Sequence, residues 1–372
     1  MRVIKEKQEL DNLLRGLAVL GTGGGGDPER SGRPLFEHDH AQGLAYEIYH
    51  PDEVEDEATV VSGGYLGSVA RSSEEDLFSS RVGTESELAH AVREMESLLE
   101  RKVDYIVPFE MGGGNTPVIM SAGAHLGIRV VDGDALGRAA PETHMTSWIG
   151  HGISLTPMPL CDSSGGVVVV KGGDILYPDA VGRFVATQKR GSVANTHYPM
   201  SGAELKRTTI PGTISLALEL GRFLSELSGP AKEILRAVAE KVGGFPLFHG
   251  RVTTMEGVDK GGFYFLNVNL EGAGEYQGRK LELVVKNEFM CARRDGKVIS
   301  IFPDLLLALD PETCRGVMTP DITRGRELLI IGAPCHERLR RAVASEAGRI
   351  AFGSERYGQD LEYRPLEELV GG

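Results

Sequence analysis

Three carboxylates stand just beyond short apolar runs: Glu110 after Tyr105-Ile106-Val107, and Asp132 and Asp134 after Ile128-Arg129-Val130-Val131. A carboxylate so placed can act as a general base, hold a metal, or accept hydrogen bonds from ring N–H groups of a small substrate. The chain around each is glycine-rich, as Glu110-Met111-Gly112-Gly113-Gly114-Asn115 and Asp132-Gly133-Asp134-Ala135-Leu136-Gly137-Arg138. A third such loop, Ser62-Gly63-Gly64-Tyr65-Leu66-Gly67, follows Val61, and the longest is Leu20-Gly21-Thr22-Gly23-Gly24-Gly25-Gly26-Asp27-Pro28. Glycine has no Cβ, so these loops either turn tightly or bring bare N–H groups against a ligand. Mixed with acid, amide and guanidinium groups, they have the makings of a pocket for a small polar molecule.

Arg138 suits charge balance or a bidentate grip on a carboxylate. Asp132 and Asp134, one residue apart, could share a divalent cation, and His144 and His151 follow close enough to complete a mixed O/N set. No H-E-x-x-H or comparable spacing specifies such a site, and ordinary turn preferences explain Asp and Gly after any single strand. Lys286-Asn287-Glu288 interrupts an apolar strand, where buried polar groups need partners, and Lys286 fits a binder of an oxyanion or carboxylate. His197, in Asn195-Thr196-His197-Tyr198-Pro199, reads as a loop residue that the nearby Pro and Gly could hold at a pocket rim. His38, His40, His50 and His90 lie in acidic contexts and read as structural or solvated. Gly21-x-Gly23-x-x-Gly26 fits a dinucleotide fingerprint only formally, because it follows a helix and not a strand. The glycine loop lacks the Lys-Ser/Thr of a phosphate-binding P-loop, and Ser215 lacks the G-x-S-x-G context of a serine hydrolase.

The elements that position these residues alternate through the first half. Leu10, Leu13, Leu14 and Leu17 mark a helix over about 6–20 that ends at Gly21. Short strands are expected near 59–62, 105–107 and 128–131. A helix capped by Thr84-Glu85-Ser86-Glu87 runs to about Lys102, and another covers about 116–126. That alternation favours a largely parallel sheet layered with helices. From about 166 the texture turns to strands, expected at 166–170, 184–187, 248–257, 262–270, 280–292, 297–302 and 327–332. Two helices near 212–227 and 231–242 are inserted among them. The expected architecture is an α/β domain over 1–165 and a β-rich, barrel-like domain over 166–372.

Forty basic against 53 acidic residues give a formal charge of −13, which disfavours nucleic acid and anionic membranes as partners. The N-terminus shows no secretory pattern and no apolar run approaches about 18–20 residues, so a cytoplasmic location is expected. Cys161, Cys291, Cys314 and Cys335 are scattered without a C-x-x-C pair, which fits reduced, structural thiols.

At its loops the sequence resembles the S-methyl thiohydantoin desulfurase-like family, which is associated with hydantoinase/oxoprolinase proteins. The resemblance rests on the glycine loop of 20–28, on Glu110 to Asn115, and on Asp132 to Arg138 with Ala139-Ala140-Pro141-Glu142. It continues through Pro211-Gly212-Thr213-Ile214-Ser215, Lys286-Asn287-Glu288, Pro303-Asp304 and Ala351-Phe352-Gly353. The chain departs from the family pattern in Ser62 to Val69, which lacks a Gly-Ser-Pro-like end, and at His144, where an amide is commoner. The resemblance implies an α/β domain followed by a barrel-like one, and hydrolytic removal of sulfur from a thiohydantoin ring.

The resulting reading is a hydrolase for a small cyclic ureide or thio-ureide, with water attacking the ring carbon that bears oxygen or sulfur. Glu110, Asp132 and Asp134 are the catalytic candidates. Gly23, Gly24, Gly25, Asp27, Gly113, Gly114, Asn115, Arg138, Glu142 and Lys286 are the expected substrate contacts. Asp132, Asp134 and His144 are the candidates should a divalent metal take part, and no nucleotide cofactor is expected. The alternative is a non-catalytic binding subunit that works with a hydantoinase/oxoprolinase-type partner; in either case a homo-oligomer is expected.

Overall fold

A computed structural model describes residues 1–67, 83–188 and 192–371; Ser68 and Val69, part of the departure noted above, lie outside them. The first half contains β1 (Arg2–Ile4), α1 (Lys7–Leu20), α2 (Arg33–Ala41), β2 (Tyr46–Tyr49), β3 (Thr59–Gly67), α3 (Glu87–Leu99), β4 (Tyr105–Pro108), α4 (Asn115–Leu126), β5 (Arg129–Val131), β6 (Gly133–Asp134), α5 (Ser147–Gly150) and β7 (Met158–Cys161). There follow β8 (Val167–Val170), α6 (Tyr177–Gln188), β9 (Ser192–Ser201), α7 (Gly202–Thr208), β10 (Ile210–Pro211), α8 (Thr213–Glu226) and α9 (Ala231–Lys241). The chain ends with β11 (Phe245–Lys260), β12 (Phe263–Gly272), β13 (Lys280–Lys286), β14 (Glu288–Arg294), β15 (Lys297–Ile301), β16 (Leu305–Leu309), β17 (Glu327–Ala333), α10 (Glu337–Ala344), α11 (Glu346–Phe352) and α12 (Leu366–Val370).

The first sheet has the order β1-β2-β5-β4-β3-β9-β7-β8. Its centre, β2-β5-β4-β3, is parallel, and the flanking pairs are antiparallel. The second sheet, β15-β14-β13-β12-β11-β17-β16, is antiparallel throughout, and it curls until β14 comes back against β16 as a half barrel. The α/β-then-β architecture is therefore the one expected, although β8 and β9 pair in the first sheet. All four cysteines are free and buried. Among the described residues, no helix is long and apolar enough to cross a membrane.

Local departures from expectation have physical causes. Phe184 to Thr187 forms the last turns of α6 and not a strand: Asp179, Gly182, Arg183 and Ala186 are buried at helical spacing, and that packing overrides the β-branched residues' preference. The strand expected over 280–292 breaks at Asn287, whose backbone is left-handed (φ +57°) and whose N–H and Oδ1 both bond Tyr264. The helix from Glu87 is capped by Ser86 alone, which accepts from Ala89 N at 3.2 Å. His197 lies inside β9, a strand buried almost along its whole length.

The helix α8 packs on α1 at backbone contact. A Cβ added to Gly16 would lie 1.8 Å from Ala217 O, and one on Gly221 would lie 1.7 Å from Asn12 O. Only glycine permits two helix backbones to meet so closely.

Candidate active site

A cavity of about 410 Å³ opens where the two sheets meet. The glycine loop, the end of β3, the loop after β4 and the start of α4 form one side. The start of β9 forms another wall, and the chain at Asn287-Glu288 and Met318 to Asp321 closes it from the second sheet. Glu110, Gly23, Gly25, Asp27, Gly114, Asn115 and Glu142 line it, in keeping with their place after strands or in glycine loops.

The two glycine loops interlock. Gly25 O accepts from Gly114 N at 2.9 Å and Asn115 N at 3.3 Å. A Cβ on Gly113 would come within 2.7 Å of Pro28 N, and one on Gly26 within 2.7 Å of Gly114 Cα. Gly24 is pressed against Glu288: an added Cβ would sit 1.9 Å from its Oε1. Gly24 and Gly113 thus shape the wall from behind. Asp27 accepts from Glu29 N at 2.8 Å and Arg30 N at 3.2 Å, which caps the wide turn Pro28–Gly32.

Of the carboxyls lining this cavity, Glu110 and Glu288 come to it from different sheets. Glu110 is 3% exposed; its Oε1 accepts from Asn115 Nδ2 and its Oε2 from Ala140 N, both at 2.8 Å. Burial pushes Glu110 up to about 7 despite those donors. Glu288 is also buried, with Oε1 accepting from Gly25 N at 3.2 Å and Oε2 without a partner among the described residues. Burial first, and the nearby Glu110 charge second, hold Glu288 well above the ordinary carboxyl range. Because the folded chain keeps the Glu110 proton up to about 7 against 4.5 ordinarily, ionising it lowers stability as pH rises through that window.

Polar groups of β9 complete the wall. His197 is buried edge-on against Phe109, with ring centroids 5.5 Å apart, and Nδ1 has no partner among the described residues. Burial pushes it down to about 3, so it is a neutral imidazole. Asn195, its neighbour along the cavity, has an unpartnered Oδ1. Beside them, Glu142 accepts from Lys286 Nζ at 2.8 Å and from the Arg356 guanidinium. Lys286 also bonds Arg356 O at 3.0 Å and lies over the Phe263 ring, outside the cavity lining.

Three of the expected site residues are committed elsewhere. Asp132 accepts from Ile214 N, Ser215 N and Ser215 Oγ at 2.9, 3.1 and 2.6 Å, supplying the cap that Gly212 cannot give α8. Asp134 accepts from Leu136 N and Gly137 N in a tight turn, and burial pushes it up to about 8. Arg138, fully buried, donates at 2.8 Å to Ala139 O, Asp304 O, Thr22 Oγ1 and Phe289 O, tying the two sheets together. Nor do Asp132, Asp134 and His144 gather as metal ligands. His144 instead neighbours Glu142 and Asp179, with ligand atoms within 4.8 Å of one another. Those two carboxylates already meet Lys286, Arg356 and Arg183, so a cation there would face three positive charges. Asp132→Ala is expected to cost about 1–2 kcal/mol of stability, as for other lost helix caps, while the cavity groups stay in place. Thermal melting alongside ligand binding measures this; an intact melting temperature would remove the capping role.

Glu288, His197, Asn195 and Arg183 were not among the expected site residues. The polar triplet Lys286-Asn287-Glu288 carried a signal for the first and the pocket-rim reading a faint one for His197, and nothing in the sequence marks Asn195 or Arg183.

The comparisons agree with this architecture. A protein from Chromobacterium violaceum of known crystal structure is similar over 98% of this chain and 100% of its own, with a TM-score of 0.77 at 23% identity, a likeness of fold. No curated protein matches the chain. Residues 8–172 match the S-Me-THD-like N-terminal domain and residues 176–366 the S-Me-THD-like C-terminal domain, so the chain belongs to the S-Me-THD-like family.

Proposed function

We propose that the protein hydrolyses a small five-membered cyclic ureide or thio-ureide of the hydantoin or thiohydantoin type, using Glu110 and Glu288 as a base and acid pair. The observation that carries this reading is the pair of buried carboxyls, both raised in pKa, on one cavity of a size for such a ring. Family membership supports the thiohydantoin class.

Glu110 is the better base, because Asn115 and the Ala140 N–H both stabilise its ionised form. Glu288, which burial and the ionised Glu110 hold protonated, is the better acid. In this reaction Glu110 takes a proton from water as the oxygen attacks the ring carbon bearing sulfur. The resulting tetrahedral centre carries a hydroxyl and the sulfur; Glu288 protonates the sulfur, and as the C–S bond breaks the hydroxyl passes its proton to the Glu288 carboxylate, so the products are the ring carbonyl and hydrosulfide, with the proton on Glu110 released to solvent. The N–H groups of Gly26 and Asp27, unpartnered among the described residues, supply donors at the wall, and Asn195 Oδ1 offers an acceptor for a ring N–H.

Sulfide release from a thiohydantoin panel by the purified chain tests the reading. Ligand-dependent thermal stabilisation without turnover would overturn it in favour of a binding subunit. Turnover should rise as pH climbs through about 7, where Glu110 ionises, and fall at higher pH as Glu288 loses its proton. The residual rate of Glu110→Gln should lose the rising limb; a profile identical to the parent's would exclude Glu110 as the base.

A further inference from the structure

We propose that His38, Asp39 and His125 form a binding site for one divalent transition-metal ion of the zinc class, remote from the cavity. His38 and Asp39 lie on α2 and His125 in the last turn of α4, and one ligand atom from each lies within 4.8 Å of the other two. Two imidazoles and a carboxylate are a donor set that suits zinc and its neighbours, with a fourth position open to water.

The carboxylate is the decisive group. Asp39 is fully buried, yet no lysine or arginine among the described residues lies within ion-pair distance of it. Its Oδ1 is 2.8 Å from His125 Nε2 and its Oδ2 accepts from Tyr46 Oη at 2.8 Å. A buried carboxylate without a fixed cation is costly, and a metal ion supplies the missing charge. The Tyr46 hydroxyl donates to the carboxylate and holds it in orientation. His125 and His38 face each other with ring centroids 6.2 Å apart, and both are partly exposed, which gives an ion a way in.

Bonds of about 2.0–2.1 Å to zinc bring ligand atoms to roughly 3.3 Å from one another. The His125–Asp39 pair is already closer than that. His38, whose Nε2 lies 2.6 Å from Gln42 Nε2, has at most about 1.5 Å to close to join them. The contrast with Glu142, His144 and Asp179 is electrostatic: that cluster is surrounded by three cations, and this one, among the described residues, by none from lysine or arginine.

The site joins the helix that follows the glycine loop to the far end of the helix that begins at Asn115. Its role is therefore to fix two elements on one side of the cavity, the glycine loop and the start of α4, from outside. The test is cobalt and zinc titration of the metal-stripped full chain, followed by the visible ligand-field bands of cobalt and by elemental analysis. One equivalent is expected, with the association constant falling at least about tenfold in His38→Ala and in His125→Ala, and unchanged in Glu110→Gln. Should His125→Ala fail to fold, His38→Ala on the half-exposed position decides alone. No uptake, or uptake that His38→Ala leaves unchanged, overturns the site.

Discussion

Glu288→Gln is expected to slow turnover of a thiohydantoin by about 10²–10⁴-fold, the range for loss of a positioned general acid. The amide keeps the shape and can still accept from Gly25 N through its oxygen, so the loop at Gly24 and Gly25 has no reason to move. What disappears is the transferable proton on a side chain that burial and Glu110 hold protonated. The measurement is kcat by sulfide release with melting temperature recorded in parallel. A folded variant with undiminished kcat would eliminate Glu288 as the acid and with it the two-carboxyl mechanism. Gly24→Ala makes the same point sterically, because its Cβ would occupy space now held by the Glu288 carboxyl.

The largest effect on stability is expected from Gly221→Ala. The new Cβ would sit 1.7 Å from Asn12 O, a backbone atom that can retreat only if α1 and α8 separate. Overpacking of a core ordinarily costs about 1–3 kcal/mol, and a backbone collision belongs at or beyond the upper end. Leu216→Ala, on the same helix but 39% exposed, should change stability by about 0.5 kcal/mol or less. Denaturant unfolding of the two variants separates a contact effect from a helix-propensity effect. Equal midpoints would mean that the helices do not touch as closely as described.

How much of this was legible in the sequence depends on how local the determining contacts are. The helix over Lys7–Leu20 was legible because its leucines repeat at helical spacing, and the glycine loop because few uses explain four glycines in a row. Glu110 was legible from its place after β4. Asp132 and Asp134 occupy the same kind of position and share its sequence signature, yet Asp132 is claimed by backbone N–H groups of Ile214 and Ser215, some eighty residues on. No local pattern announces a cap supplied from so far away. His197 was legible only as a loop residue at a rim, and Asn195 not at all, for a related reason: β9 is polar in sequence but enclosed on both faces, so its residues read as a loop. Arg138 read as a substrate contact because a guanidinium near carboxylates suggests one; its partners prove to be three main-chain carbonyls and a threonine hydroxyl, gathered mainly from distant segments.

The break at Asn287 ends β13 and starts β14 with Glu288, so one proposed catalytic carboxyl is carried by the second sheet and the other by the first. On the proposed mechanism neither half of the chain carries both carboxyls. A chain that has built only its first sheet can present the glycine loop and Glu110 but has no acid to pair with them. Activity would then report that both halves are built and docked. Separately expressed halves should be inert alone and recover turnover only on reassociation, which makes catalysis a direct assay of assembly.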